Sequence, residues 1–355
     1  MKFAMSVIGP SLISVLGFLS LLLCLGCSTA DPGQPRSLPP SILGELSSRS
    51  SPPDVLGFQV DRTGQIIVRG PRTGYSAASN SVSLPFSLDR GWPAVEARLN
   101  GIIDALVVVD TGAAVTSLAG RTAASARVRT INTNHFPAQL VRGVGGTERT
   151  VIGLIDRLSL GGLDVTNLAV NVRLEETPGS GKGFGRGPRI GNLLGLSPVL
   201  AGSSFVTVDY PQKMITFSPQ GEFPSPVARA GMRAPLQVPF ELSREGLQIL
   251  LGFPNGRRAP FVVDTGFSGE LLMSTATTQI VGAGDAVREG RQGAVRGIGG
   301  EMMQIGFTME WVEVGGRRFG YVKASTGTEH DLLGSGWLRQ FRVTFDFRRR
   351  IMWLE

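Results

Sequence analysis

The chain has 355 residues, two histidines, two cysteines, 48 glycines, 22 prolines and a formal net charge of +7. Two histidines cannot build a His-rich zinc site. Both cysteines, Cys24 and Cys27, lie in one apolar N-terminal run, so residues 28–355 hold no thiol for a disulfide, a Cys-ligated zinc or a nucleophile. No metal and no cofactor is therefore expected, and the chemistry falls to oxygen groups. The glycine and proline content, with only 18% charged residues, favours a turn-rich, mainly β protein, and the length suggests two domains. The basic excess is scattered arginine except for Arg348, Arg349 and Arg350, which sit in an expected hairpin turn. Without an aromatic-interleaved basic stripe, this charge reads as solvated surface rather than a nucleic-acid site.

Residues 1–26 read as a signal peptide: Lys2 precedes an apolar stretch from about residue 8 to 25. The stretch ends in Leu23-Cys24-Leu25-Gly26-Cys27, which resembles the lipobox of bacterial lipoproteins. That resemblance implies a lipidated Cys27 tethering an exported protein to the membrane of the bacterial cell envelope. Ser28 after it implies the outer membrane, with the protein facing periplasm or exterior. Ser28 and Ala30 leave ordinary cleavage after Ala30 open, and a retained membrane anchor is a third possibility. Mass spectrometry of the mature N-terminus is expected to find lipidated Cys27; an unmodified start at Asp31 would exclude lipidation.

Residues 27–80 read as a tether and N-terminal extension. Residues 28–54 are rich in Pro, Ser and Gly without apolar periodicity, which predicts a flexible spacer. Phe58, Val60, Ile66 and Val68 have strand spacing and predict one strand pair around Thr63-Gly64.

Beyond residue 80 the chain repeats itself. Ala105-Leu-Val-Val-Val-Asp110-Thr111-Gly112 and Ala259-Pro-Phe-Val-Val-Asp264-Thr265-Gly266 are short apolar runs ending in Asp-Thr-Gly. The surrounding landmarks keep step with the aspartates, as a duplicated fold requires: Pro85-Phe86 and Pro239-Phe240 upstream, then Arg142-Gly-Val-Gly-Gly146 and Arg296-Gly-Ile-Gly-Gly300, then Gly161-Gly162 and Gly315-Gly316 downstream. Each half closes with Leu-Leu-Gly (Leu193-Leu194-Gly195, Leu332-Leu333-Gly334) and then alternating residues around a polar turn. This pattern predicts hairpins over 205–217 and 341–353, with room for a short helix before each. The first half carries extra residues, including the glycine-rich stretch 178–188; its Gly181-Lys182 lacks the following Ser or Thr of a phosphate loop and reads as a mobile surface loop.

An apolar strand, Asp-Thr-Gly, a Gly-x-Gly-Gly segment and an apolar pair with glycine together resemble one lobe of the retropepsin-like aspartic peptidases, twice in this chain. The resemblance implies a bilobal, mainly β fold of two pseudo-two-fold related lobes, residues 81–218 and 235–355, joined by a linker at 219–234. It implies Asp110 and Asp264 as the catalytic pair and Thr111, Gly112, Thr265 and Gly266 as the loops supporting them. Val144, Gly145, Ile298 and Gly299 would form substrate-binding flaps. Ala113 follows the first Asp-Thr-Gly and Phe267 the second, so the two sides of the groove are expected to differ.

The implied function is an exported aspartic endopeptidase. It would act on a peptide or unfolded protein as a monomer, with an intramolecular pseudo-dimer supplying the site. A peptide-binding protein without catalysis and a structural envelope lipoprotein remain the alternatives.

Overall fold

The computed structural model describes residues 36–60, 66–68, 73–77, 79–89, 91–132, 138–176, 191–200, 202–227, 234–243, 245–297 and 300–355. Cys27, Ile298, Gly299 and the glycine-rich stretch 178–188 lie outside the described residues.

Each lobe is organised around the strand that runs into its Asp-Thr-Gly, Ile103–Val109 in the first and Arg258–Asp264 in the second. Val107, Val108 and Val109 are all buried, as are Phe261, Val262 and Val263. Strands covered on both faces read as continuous apolar runs rather than alternating ones. Each strand pairs antiparallel with the strand before it, Trp92–Leu99 or Leu247–Gly252. On its other side it pairs parallel with the Leu-Leu-Gly segment, Val109 opposite Leu194 and Val263 opposite Leu333. The Leu-Leu-Gly signature is thus a short strand laid beside each aspartate strand. Both sheets are extended by long hairpins, Gly146–Leu160 with Leu163–Arg173 and Gly300–Val314 with Arg317–Thr328.

The lobes meet in a six-stranded antiparallel sheet, ordered Leu236–Pro239, Ile351–Leu354, Arg342–Asp346, Phe205–Asp209, Met214–Ser218 and Val82–Pro85. Both expected C-terminal hairpins lie here. Thr207 and Thr344 occupy equivalent places in the two repeats, pair with each other in the sheet, and have hydroxyls 2.8 Å apart, so the pseudo-two-fold axis passes between them. Asp209 and Asp346 hold the two hairpin turns by accepting backbone N–H bonds from Gln212 and from Arg348 and Arg349. Phe223 carries the connector onto this sheet, packing between Phe205 and Trp353. A four-residue helix, Ser335–Leu338, follows Gly334, whereas the first lobe has the wider turn Leu196–Leu200 in that place.

The flexible spacer expected over 28–54 is corrected by its described part. Pro40 opens a helix, Pro40–Ser48, at the first position, where a missing N–H costs nothing. Ile42, Leu43 and Leu46 then form one apolar face that packs on the first lobe together with Leu38. Leu38 fits because residue 120 is glycine: a Cβ there would meet Leu38 Cδ1 at 2.2 Å. The backbone is enlisted too, since Arg36–Ser37 pairs with Glu175–Glu176 and Ser50–Ser51 with Arg129–Ile131. The strand pair Phe58–Val60 with Ile66–Val68 forms as its spacing predicts.

Candidate active site

The two Asp-Thr-Gly loops meet at the lobe interface. Thr111 and Thr265, 2% and 0% exposed, interlock them. Thr111 N–H donates to Thr265 Oγ1 (3.0 Å) and Thr265 N–H to Thr111 Oγ1 (3.1 Å), while the hydroxyls donate onward to Val263 O (2.6 Å) and Val109 O (2.5 Å). Four buried bonds, each contributing about 1 kcal/mol net, fix one loop against the other. Serine would keep the hydroxyl, but the threonine methyl also fills this dry interface and restricts χ1.

Asp110 and Asp264 thereby come within hydrogen-bonding distance of each other. Asp110 is 8% exposed, and its Oδ1 accepts from the N–H groups of Gly112 (2.9 Å) and Ala113 (3.0 Å). Asp264 Oδ1 accepts from Gly266 N–H at 2.7 Å. The glycines are required by proximity across the interface: a Cβ on Gly112 would lie 2.4 Å from Asp264 Cγ, and one on Gly266 would lie 2.5 Å from Asp110 Cγ. Burial pushes both carboxyls above the ordinary aspartate value. The Asp110 charge and the bond between the carboxyls push Asp264 further up, while that bond and the loop amides draw Asp110 back down. Sharing one proton is the arrangement two close carboxyls adopt, because both cannot ionise cheaply.

Two hairpins occupy the sequence positions where the resemblance expects flaps. Gln139–Gly143 and Gly146–Leu160 form one hairpin with Val144-Gly145 at its tip; Arg291–Gly297 and Gly300–Val314 form the other, whose tip residues Ile298 and Gly299 lie outside the described residues. Gly146 and Gly300 close their turns at φ 126° and 127°, open to glycine and strained for other residues. The hairpins touch, since a Cβ on Gly145 would lie 2.2 Å from Gly300 O. Val144 crosses to the second lobe and packs on Val262, Leu272 and Leu332. Arg142 pairs with Glu329 of that lobe at 2.7 Å, an exposed contact that adds little in salt. Phe267 packs into the same apolar group from below, its ring close to Gly269 and Gly334. The second Asp-Thr-Gly loop thus accommodates a bulky neighbour without losing the Gly266 bond to Asp264.

Several supporting residues were not singled out from the sequence. Asn192 and Asp331 both immediately precede Leu-Leu-Gly, a shared place in the repeat that is their sequence signal. Asn192 accepts from Ala119 N–H and donates to Leu106 O, whereas Asp331 accepts from the Ser274 N–H and hydroxyl and from the Thr277 hydroxyl. Ser335 Oγ lies 2.8 Å from Phe267 O and 2.9 Å from Gly91 O, which links the second loop to the first lobe. Tyr210 is buried against Phe86, and burial, then the charge of Asp264, pushes its phenol up. Glu148 on the first of these hairpins and Arg173 on the neighbouring strand carry no sequence signal, because polar residues in strands ordinarily face water.

The family model for aspartyl proteases matches residues 95–197. The matched span contains Asp110, the first flap and Leu193-Leu194-Gly195, and it supports an aspartyl protease family and protease chemistry at that level. No curated protein matches the chain.

Proposed function

We propose that the chain is an exported aspartic endopeptidase in which Asp110 and Asp264 activate a water for attack on a peptide bond. The observation that carries this reading is the buried, hydrogen-bonded aspartate pair at the lobe interface, together with the two touching hairpins at the expected flap positions. In the proposed reaction the ionised carboxyl of the pair takes a proton from the water while the protonated one polarises the scissile carbonyl. The proton then passes to the leaving amine, and the pair returns to its starting state. The flap backbones hold the extended peptide over the pair, and the Gly-containing loops keep the carboxyls in hydrogen-bonding register. The export part of the reading rests on residues 1–30 alone.

The test is cleavage of casein across a pH series with and without pepstatin. Activity is expected to follow a bell in the acidic to mildly acidic range. On the acid side both carboxyls are protonated and no base remains; on the alkaline side both are ionised and no acid remains. Because burial raises both pKa values, the alkaline limb lies above the ordinary carboxylate range. Absence of cleavage at every pH in a folded protein would leave a peptide-binding protein.

A further inference from the structure

The two lobes stay in register, 154 residues apart, from the aspartates through the flaps, so each lobe serves as an internal control for the other. Against that control one pair stands out. Glu148 and Arg173 of the first lobe fall on Met302 and Gly327 of the second.

Glu148 lies on the flap strand Gly146–Leu160, opposite Val141. Along this strand Thr147 and Arg149 face solvent, whereas Glu148 and Thr150 turn inward under the hairpin. Glu148 is 0% exposed, and neither of its carboxyl oxygens accepts a hydrogen bond. Its ion pair with Arg173 Nη1 is long, at 3.6 Å. Arg173 Nε is also buried without an acceptor. Arg173 stands opposite Thr150 and beside Ala119, and its Nη2 would lie 3.0 Å from a Cβ on Gly191. Gly191 leads into Leu193-Leu194, which pairs with the Asp110 strand, and Ala119 ends the strand on the far side of Leu193.

A buried ion pair left short of hydrogen bonds is costly in desolvation, and apolar replacements of similar volume are often as stable or more so. The second lobe builds the same hairpin without the pair, so the fold does not require it. Burial holds the Glu148 carboxyl above its ordinary range despite the pull of Arg173. The second lobe has a different character: Val262, Leu272 and Leu332, with Val144 and Phe267 packed against them, form an apolar cluster. Where the second loop has Phe267, the first has the smaller Ala113.

We propose that Glu148 and Arg173 determine specificity, giving the first-lobe side of the cleft a preference for a substrate carboxamide, glutamine or asparagine. Its N–H groups donate to Glu148 and its carbonyl accepts from Arg173 Nε. The second-lobe side takes an apolar side chain. A carboxamide matches two unfilled acceptors and one unfilled donor with no net charge. Lysine leaves the arginine donor unmatched and adds a second cation, and a carboxylate meets the charge of Glu148. This proposal rests on the peptidase reading above.

The experiment uses peptides that differ only at the positions flanking the scissile bond, with Gln, Asn, Leu, Lys or Glu at each. The wild-type chain is expected to cleave the Gln or Asn peptide with kcat/KM about tenfold above the Leu peptide on one side of the bond only, the scale of a hydrogen bond to a charged group. A Glu148→Met, Arg173→Leu double variant, which removes both charges together and so leaves neither buried alone, is expected to prefer Leu there and to keep the apolar preference on the other side. Glu148→Gln, which keeps one acceptor, is expected to lie between. The same preference order in wild type and double variant, or a wild-type preference for Lys, Glu or Leu at that position, overturns the proposal. Binding of the same peptides to Asp264→Asn, followed by fluorescence anisotropy, separates the two readings. An ordered preference in binding with no cleavage by the wild type removes the peptidase reading and keeps this one; neither binding nor cleavage removes both.

Discussion

Asparagine at position 110 or 264 is expected to lower turnover on casein by on the order of 10²-fold to 10⁴-fold, the scale of losing acid–base catalysis. Asparagine keeps the size of the side chain, and its carbonyl oxygen can accept the N–H bonds from Gly112, Ala113 or Gly266 that hold the aspartates. It cannot exchange the shared proton. The double variant is expected to be little worse than either single one, since the two groups act as a unit.

Stability should move the other way. A carboxyl whose pKa is raised in the fold costs nothing while it is protonated in both states; its penalty grows as the pH rises from the unfolded value toward the folded one and levels off above it. Asp264 is raised most strongly, so Asp264→Asn is expected to unfold like the wild type in acid and to gain on it toward neutral pH. Denaturant titrations at several pH values measure this. Full activity in a folded Asp264→Asn protein would sink the aspartic mechanism.

Alanine at Gly266 is expected to be as damaging to kcat through geometry alone. Its Cβ would arrive 2.5 Å from both Cγ and Oδ2 of Asp110, closer than real Cβ contacts come. Asp110 is pinned by two loop amides and has little freedom to give way. The displacement therefore falls on the reacting carboxyl, where misplacement of about 1 Å costs on the order of 10²-fold. Overpacking adds about 1–3 kcal/mol of destabilisation. Gly112→Ala should behave alike, because its Cβ would crowd Asp264 in the same way. Comparing single-turnover rates with unfolding free energies separates the two effects, and an unchanged rate in a folded Gly266→Ala protein would contradict the close approach of the loops.

The duplicated landmarks were legible because each has a local cause. A strand buried on both faces demands an unbroken apolar run such as Val107–Val109, and a tight flap turn demands glycine at 146 and 300. The helix at Pro40–Ser48 was hidden by composition: Pro39, Pro40 and the serines nearby read as spacer, while the apolar face of Ile42, Leu43 and Leu46 is only three residues of signal. The destination of that face, the surface opened by Gly120, depends on a partner 80 residues away. Glu148 and Arg173 were illegible for a related reason. Alternation along a strand predicts which residues share a face, but not whether a folded hairpin covers that face. Phe267 showed its asymmetry in the sequence, yet its role as a support for Val262, Leu272 and Leu332 appears only once the loop is folded.

The axis between Thr207 and Thr344 has a consequence for how the proposed peptide substrate would be read. A site made of two identical halves presents the same surface to a chain lying in either direction, so it has no means of distinguishing the N-terminal from the C-terminal side of a bond except through the peptide itself. Here both halves are on one continuous chain, and a change on one side of the axis need not be repeated on the other. Ala113 and Glu148 of the first repeat stand where the second has Phe267 and Met302. Two-fold symmetry survives at the interlocked threonines, where the chemistry needs equivalence. It is broken a few residues further out, and that is enough to give the cleft a head and a tail.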